Sequence, residues 1–287
     1  MSYVVTGATG HLGRLVVQHL IADGVPAAEI VATGRRTERL ADLAEQGVRV
    51  ATVDYGRPET IAAALEGADV VLLVSGSEVG QRVEQHRAVI EAAKGAGVRR
   101  LVYTSAPQAD TSPLVLAPEH KATEEILRAS GLTFTILRNG WYTENYLGDV
   151  QQAATSGEIV AAVGDGRVAS APRDDFAAAA AVVLRTEGHD DAVYELSGDV
   201  AWSFDDLAAA AAEVLGRPVA FRAVTSEERR AGLLAAGLDE GTAGFVVALD
   251  ENTRDGLLAG TSGDLARLIA RPTTPLADAL RAALATA

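Results

Sequence analysis

The sequence predicts an α/β fold: a doubly wound parallel sheet with a smaller, mostly helical C-terminal lobe. Three observations carry this. Short β-branched runs alternate with stretches of helical periodicity through the first half of the chain. One run, Val70–Val74, contains no polar side chain, as expected of a strand covered on both faces of a parallel sheet. The alternation breaks after residue 139, and the patterns beyond residue 199 are mostly helical.

Each element has its own local reason. Tyr3–Thr6 is a short apolar strand. Leu12–Ala22 carries apolar residues at 12, 15, 16, 20 and 21, which is helical spacing. Ile30–Thr33 and Val48–Val53 are the next strands. The helices Thr37–Glu45 and Glu59–Leu65 are stopped by Gly47 and Gly67. Val70–Val74, Arg100–Thr104 and Thr133–Arg138 follow as strands, separated by the helices Val83–Ala96 and Glu119–Ala129. Asp174–Leu184 reads as a helix after a turn at Pro172, and Val193–Leu196 as a further strand of the sheet. Phe204–Val214, Ser226–Ala236 and the segments after Asp264 read as helices, with a strand at Val219–Val224. The expected division is a sheet domain of residues 1–138, rejoined by 172–198, and a smaller lobe of residues 139–171 and 199–287.

Composition narrows the function. The 287 residues suffice for a large core, and 48% are apolar, so the chain is globular rather than disordered. A net charge of −14 repels phosphate backbones and anionic lipid, which argues against nucleic-acid and membrane partners. There is no cysteine, which excludes disulfides, thiolate catalysis and Cys-based metal sites. The five histidines lack metal-binding spacing, so no metal is expected. The first residues read as a strand and turn rather than a leader, and no apolar run reaches the roughly 18 residues needed to span a bilayer. The expected location is the cytoplasm.

The segment Thr6-Gly7-Ala8-Thr9-Gly10-His11-Leu12-Gly13 lies between the first strand and the first helix. Its spacing is GxxGxxG. Gly7 permits the tight turn, Gly10 lets the backbone approach a pyrophosphate, and Gly13 lets helix and strand pack closely. The N–H groups that open the helix, with the helix dipole, suit phosphate oxygens. The whole loop, Gly7 to Gly13 with Ala8, Thr9, His11 and Leu12, is therefore the expected dinucleotide site of a Rossmann-type domain. An acid about 20 residues further on would mark NAD. That place instead reads Thr33-Gly34-Arg35-Arg36. A guanidinium suits a 2′-phosphate, so NADPH is expected, with Arg35 the first choice and Arg36 the second. Asp54 and Tyr55 either flank the adenine or cap a strand end. Ser75, Gly76 and Ser77 follow the buried fourth strand, where a glycine allows backbone against the cofactor's ribose.

At the reacting end, no tyrosine is followed by lysine four residues later, so the usual alcohol–ketone acid of short-chain reductases is missing. That points to an acceptor needing little acid help. A quinone fits, because hydride addition yields a delocalised anion and binding geometry does most of the work. Asn139, Gly140, Trp141 and Tyr142 end the sixth strand. The Asn139 amide suits a nicotinamide or an acceptor carbonyl, and Trp141 and Tyr142 offer a flat wall for a ring. Asn139 and Tyr142 are the expected catalytic pair. Lys121 reads as a solvated helix residue, His86 as reaching the site's edge, and His19 and His189 as surface residues. No GxSxG motif supports a serine hydrolase.

The motifs TGATGHLG, SGSEVGQRVEQHR, YTSAPQADTSPL, LRNGWYTENYL, VYELSGD and RPTTPLADAL resemble those of type 2 NAD(P)H:quinone oxidoreductases. These are atypical short-chain dehydrogenases/reductases of the NmrA-like group. SGSEVGQ and LRNGWYTENY are the specific parts, and the matches span essentially the whole chain. The resemblance implies NADPH on Gly7–Gly13, with Arg35 at its 2′-phosphate and Ser75–Ser77 against it. It places Asn139–Tyr142, and Asn145, near the nicotinamide, and implies quinone reduction without flavin. It leaves open a homodimer beside a monomer. The alternatives are a non-enzymatic NADP(H)-sensing regulator of NmrA-like type, and a reductase of triphenylmethane dyes or enones.

Overall fold

The protein is described by a computed structural model covering residues 1–78 and 80–286. β1 (Tyr3–Val5) leads through the glycine loop into α1 (His11–Ala22). After β2 (Ile30–Gly34), the helix expected over Thr37–Glu45 begins as a 3-10 turn, Thr37–Leu40, and continues as α2 (Ala41–Glu45). β3 (Arg49–Thr52), α3 (Pro58–Leu65), β4 (Val70–Leu73), α4 (Arg82–Gly95), β5 (Arg100–Ser105), α5 (Ala117–Ala129) and β6 (Phe134–Asn139) complete the alternation. Then come α6 (Leu147–Ser156), β7 (Glu158–Ala161), β8 (Arg167–Val168), α7 (Arg173–Arg185), β9 (Ala192–Leu196), β10 (Trp202–Ser203), α8 (Phe204–Leu215) and β11 (Ala220–Ala223). The chain ends with α9 (Ser226–Ala235), α10 (Glu240–Arg254), α11 (Asp264–Ile269) and α12 (Leu276–Ala285).

Seven of the strands form one parallel sheet in the order β3-β2-β1-β4-β5-β6-β9. This is the expected doubly wound fold. Successive side chains point to opposite faces of a strand, and here both faces are covered. Tyr3, Val5, Val70 and Leu72 pack on the side of α1 and α7, with Val16, Leu20 and Phe176. Val4, Val71 and Leu73 pack on the side of α3, α4 and α5, with Ile61, Ile90 and Leu127. A third core lies beyond the strand ends, where Tyr146, Val150, Ile159, Trp202, Phe204 and Leu280 meet. It is framed by two small sheets, β7 beside β11 and β8 beside β10.

Some polar groups tie these layers together. Arg100 is buried, and its guanidinium donates to the carbonyls of Val183, Leu184 and Thr186 at the end of α7. A cation there answers the unpaired carbonyls and the helix dipole together. Among the described residues, no helix is long and apolar enough to cross a membrane, and no cluster of acid or histidine side chains is placed to hold a metal ion.

Candidate active site

The strand order reverses between β1 and β4, and in such sheets a crevice opens outside the carboxyl ends at that point. Two adjoining cavities lie there. The smaller, about 250 Å³, is bordered by the glycine loop, Arg35, Tyr55 and Ser75–Ser77. The larger, about 680 Å³, shares Ser75–Ser77 and extends past Asn139–Tyr142 under α9 and α10.

Gly7 and Gly13 have the backbone geometry that a tight turn and a close approach require. Gly7 has φ +62°, in the left-handed region that a side chain disfavours. A Cβ on Gly13 would stand 2.6 Å from the Gly7 carbonyl oxygen and 2.9 Å from Ala8 Cα, so only glycine permits this approach. The first helical hydrogen bond of α1 runs from the Arg14 N–H to the Gly10 carbonyl (3.2 Å). The amides of His11, Leu12 and Gly13 precede it. No side chain caps them, and no acid sits in the first turn. They are donors without an intrahelical partner, bordering the smaller cavity.

Ala8 departs from expectation. It is fully buried, outside the cavity wall, and its N–H already donates to the Thr33 carbonyl at 2.7 Å. It joins β1 to β2 and has no donor left for a phosphate. Gly34, which sequence reading did not single out, matters here: a Cβ would overlap Thr9 Oγ1 at 2.5 Å. Thr9 is thus seated on the end of β2.

Arg35 borders the smaller cavity and donates to Glu78 Oε1 at 2.7 Å. Glu78 also accepts from Gln85 Nε2. Tyr55 borders the same space. Its hydroxyl lies 2.5 Å from that of Thr6 and donates to the Val74 carbonyl at 2.9 Å. Burial holds this phenol well above its usual range.

The Ser75–Ser77 wall is braced from behind. The Ser75 N–H donates to Thr104 Oγ1 and the Gly76 N–H to His86 Nε2, both at 2.9 Å, while Arg82 Nε donates to the Gly76 carbonyl at 2.7 Å. His86 is fully buried, so it anchors this loop from within rather than lying at the site's edge. His19 and His189 are also more engaged than a surface reading allows. His19 pairs with Asp174 (2.7 Å), and His189 bonds both Thr186 and Tyr194. Lys121 is exposed on α5, as expected.

At the end of β6, Arg138 is buried and clamped by three carboxylates: Glu124 (2.7 Å), Glu195 (2.8 Å) and Asp110 (2.9 Å). This rigid cluster holds the next residue, Asn139, on the wall of the larger cavity. Asn139 Nδ2 donates to the Tyr142 hydroxyl at 3.1 Å, while Oδ1 is sealed from water with no partner. Whichever way the amide stands, one end lacks a partner among the described residues, which is rare for a buried group. Tyr142 is held by edge contact with Phe176 (5.1 Å between centroids) and by the Arg173 guanidinium, 4.7 Å over its ring. Burial raises its phenol, which stays protonated at neutral pH. Trp141 turns the other way, against the third core. Both aromatics line the larger cavity, but from opposite sides of the chain. Gly140 packs with its N–H 2.6 Å from the Leu196 carbonyl, where a Cβ would collide at 2.7 Å.

A model of the NAD(P)H-binding family matches residues 7–187. Quinone oxidoreductase 2 of Escherichia coli (strain K12) is 46% identical over 276 residues, 96% of each chain. The crystal structure of an NADPH-dependent quinone oxidoreductase from Escherichia coli, complexed with NADPH, superposes with a TM-score of 0.93 at 45% identity, covering 99% of this chain and 100% of that one. Triphenylmethane reductase of Citrobacter sp., complexed with NADP(H), gives 0.93 at 39% identity, covering 98% and 100%. With its glycine loop, its parallel sheet and these relatives, the chain belongs to the NAD(P)H-binding family, in the quinone oxidoreductase branch that its motifs resemble.

Proposed function

We propose that this protein is an NADPH-dependent reductase that passes hydride directly to a quinone, without flavin or metal. The observation that carries the reading is the pair of adjoining cavities with one shared wall, Ser75–Ser77, and, along the larger of them, a buried amide, Asn139, with one end unpartnered among the described residues. The two Escherichia coli relatives, named as quinone oxidoreductases, support it.

The residues fit NADPH. The amides of His11, Leu12 and Gly13 would hold the pyrophosphate, and Arg35 the 2′-phosphate. Ser75–Ser77 would flank the ribose, and Asn139 would orient the nicotinamide. When bound, NADPH supplies the hydride. The chain's own part is to position and exclude water. The Arg138 cluster fixes Asn139. Tyr142, held by Phe176 and Arg173, presents a neutral hydroxyl to an acceptor carbonyl, and Trp141 lines the same space. Leu116, Leu233, Phe245 and Val246 form an apolar wall suited to a flat ring.

Mixing the purified protein with NADPH and 1,4-benzoquinone tests this. Quinone-dependent loss of nicotinamide absorbance, at rates on the order of 1–10³ per second, is the expected outcome. No turnover, with redox-dependent binding of a partner protein instead, would point to a sensor. Faster decolorisation of a triphenylmethane dye than quinone reduction would move the chain to the activity of its Citrobacter relative.

A further inference from the structure

Two buried histidines stand behind the cavities, and they are not equivalent. His86 uses both ring nitrogens within the protein. Nε2 accepts from the Gly76 N–H (2.9 Å), and Nδ1 faces Thr123 Oγ1 (3.1 Å). The Thr123 hydroxyl donates to the Glu119 carbonyl (2.9 Å), so His86 must donate at Nδ1. Its bonding capacity is exhausted.

His120 differs. Tyr103, in the middle of β5, is fully buried, and its hydroxyl makes its short hydrogen bond to His120 Nδ1 at 2.7 Å, with the Thr123 and Ser105 hydroxyls further off. A sealed hydroxyl gives its hydrogen to the nearest acceptor. Nδ1 therefore accepts, and the single proton of a neutral imidazole resides on Nε2. That nitrogen bonds no protein atom among the described residues, yet it is not sealed, and His120 lines the larger cavity with Ser77, Asn139 and Tyr142. Arg82 lines the same wall. Its guanidinium lies between the Gly76 carbonyl and Glu119 (2.7 Å each), with its side chain 7% exposed. Burial and this neighbouring cation keep the ring neutral down to about pH 3.

We infer that His120 is a catalytic residue: its Nε2–H, held in that tautomer by Tyr103, donates a hydrogen bond to the acceptor oxygen on which negative charge develops. The inference rests on the quinone-reductase reading. In the balanced reaction, hydride adds to the quinone and a carbonyl oxygen becomes a hydroquinone-type anion, the oxidised nucleotide being the other product. The proton that completes the hydroquinone comes from water, so His120 keeps its own. A preorganised donor aimed at developing charge is worth up to about 10²–10³ in rate.

Three variants and a binding measurement test it. His120→Met removes the donor, His120→Gln returns an N–H near the same place, and Tyr103→Phe frees the tautomer. His120→Met is expected to lower kcat about 10- to 100-fold with NADPH affinity unchanged. His120→Gln is expected to recover most of the loss, and Tyr103→Phe to fall between. Independently of turnover, calorimetry with substituted phenols of graded acidity should show affinity rising with acidity in the wild type and flat in His120→Met. Nitrogen NMR should place the His120 proton on Nε2. Wild-type kcat in His120→Met, equal losses in Met and Gln variants, or an Nδ1–H tautomer would each overturn the inference. A wild type that turns over no quinone would instead sink the functional reading, and the phenol titration would still judge the donor.

Discussion

Replacing Arg35 by alanine should separate the two nicotinamide dinucleotides. The Arg35 side chain is 63% exposed and bonded to Glu78 at 2.7 Å, and a pair this open contributes about 0.2–1 kcal/mol. A 2′-phosphate carries roughly −1.5 to −2 charges, and a hydrogen bond to a charged group is worth about 1.5–3 kcal/mol. The guanidinium must give up part of its contact with Glu78 to meet the phosphate, leaving about 1–2.5 kcal/mol, or roughly 5- to 60-fold in Kd at 1.4 kcal/mol per tenfold. Titration calorimetry should show Arg35→Ala weakening NADPH by that factor and NADH by less than about threefold. Glu78→Gln removes the competitor and should tighten NADPH by up to about fivefold. That gain should vanish in the Arg35→Ala background, because it acts only through the guanidinium. Equal losses for both nucleotides would show the phosphate to lie elsewhere. An unchanged NADPH affinity in Glu78→Gln would refute the competition.

Three other expectations follow from the same geometry. Gly13→Ala would gain up to about 1 kcal/mol at an ordinary helix position. Here the new Cβ meets the Gly7 carbonyl oxygen at 2.6 Å, so a loss of about 1–3 kcal/mol in urea unfolding is expected, and a stabilised variant would contradict the packing. Asn139→Leu puts an apolar group on the wall of the larger cavity, so kcat with benzoquinone should fall about tenfold or more while urea stability changes little, and retained kcat would remove Asn139 from the site. His86 and His120 have values pushed down from 6.5 to about 3 by burial. The unfolded chain therefore binds protons that the folded chain refuses as pH falls below about 6.5. Stability should be full above that value and decline by about 1.4 kcal/mol per pH unit per histidine toward pH 4.5. A urea midpoint that stays flat across that window would count against both buried neutral rings.

Much of the frame was legible locally. Val70–Val74 reads as a buried strand because five consecutive residues lack polar atoms, and the structure places its first four in β4 at the middle of the sheet. Gly7 and Gly13 announce a phosphate-type loop because only glycine meets a positive φ or a backbone contact of 2.6 Å. The helix α10 was missed: Glu240–Arg254 contains Gly241, Gly244 and paired valines, which are weak helix formers. It is held by its Asp239 cap and by its neighbours over the cavity. The helix α6 was missed for a similar reason, since Gly148 and Asp149 open it.

By itself the sequence determined the alternating strands and helices up to residue 139, the glycine loop, the guanidinium in place of an acid after the second strand, and the polar-aromatic run Asn139–Tyr142. Each of these is a property of consecutive residues, and periodicity and φ preferences are local. The tertiary structure alone decided which hydrogen-bonding groups remain unused. It closed the Ala8 amide on Thr33, gave Arg35 a rival in Glu78 from 43 residues away, spent both nitrogens of His86, and left one end of Asn139 and Nε2 of His120 without a partner among the described residues. A hydrogen-bonding group is used or unused according to what the neighbouring strand or helix places within about 3 Å. That depends on strand order and crossover, which no run of adjacent residues encodes.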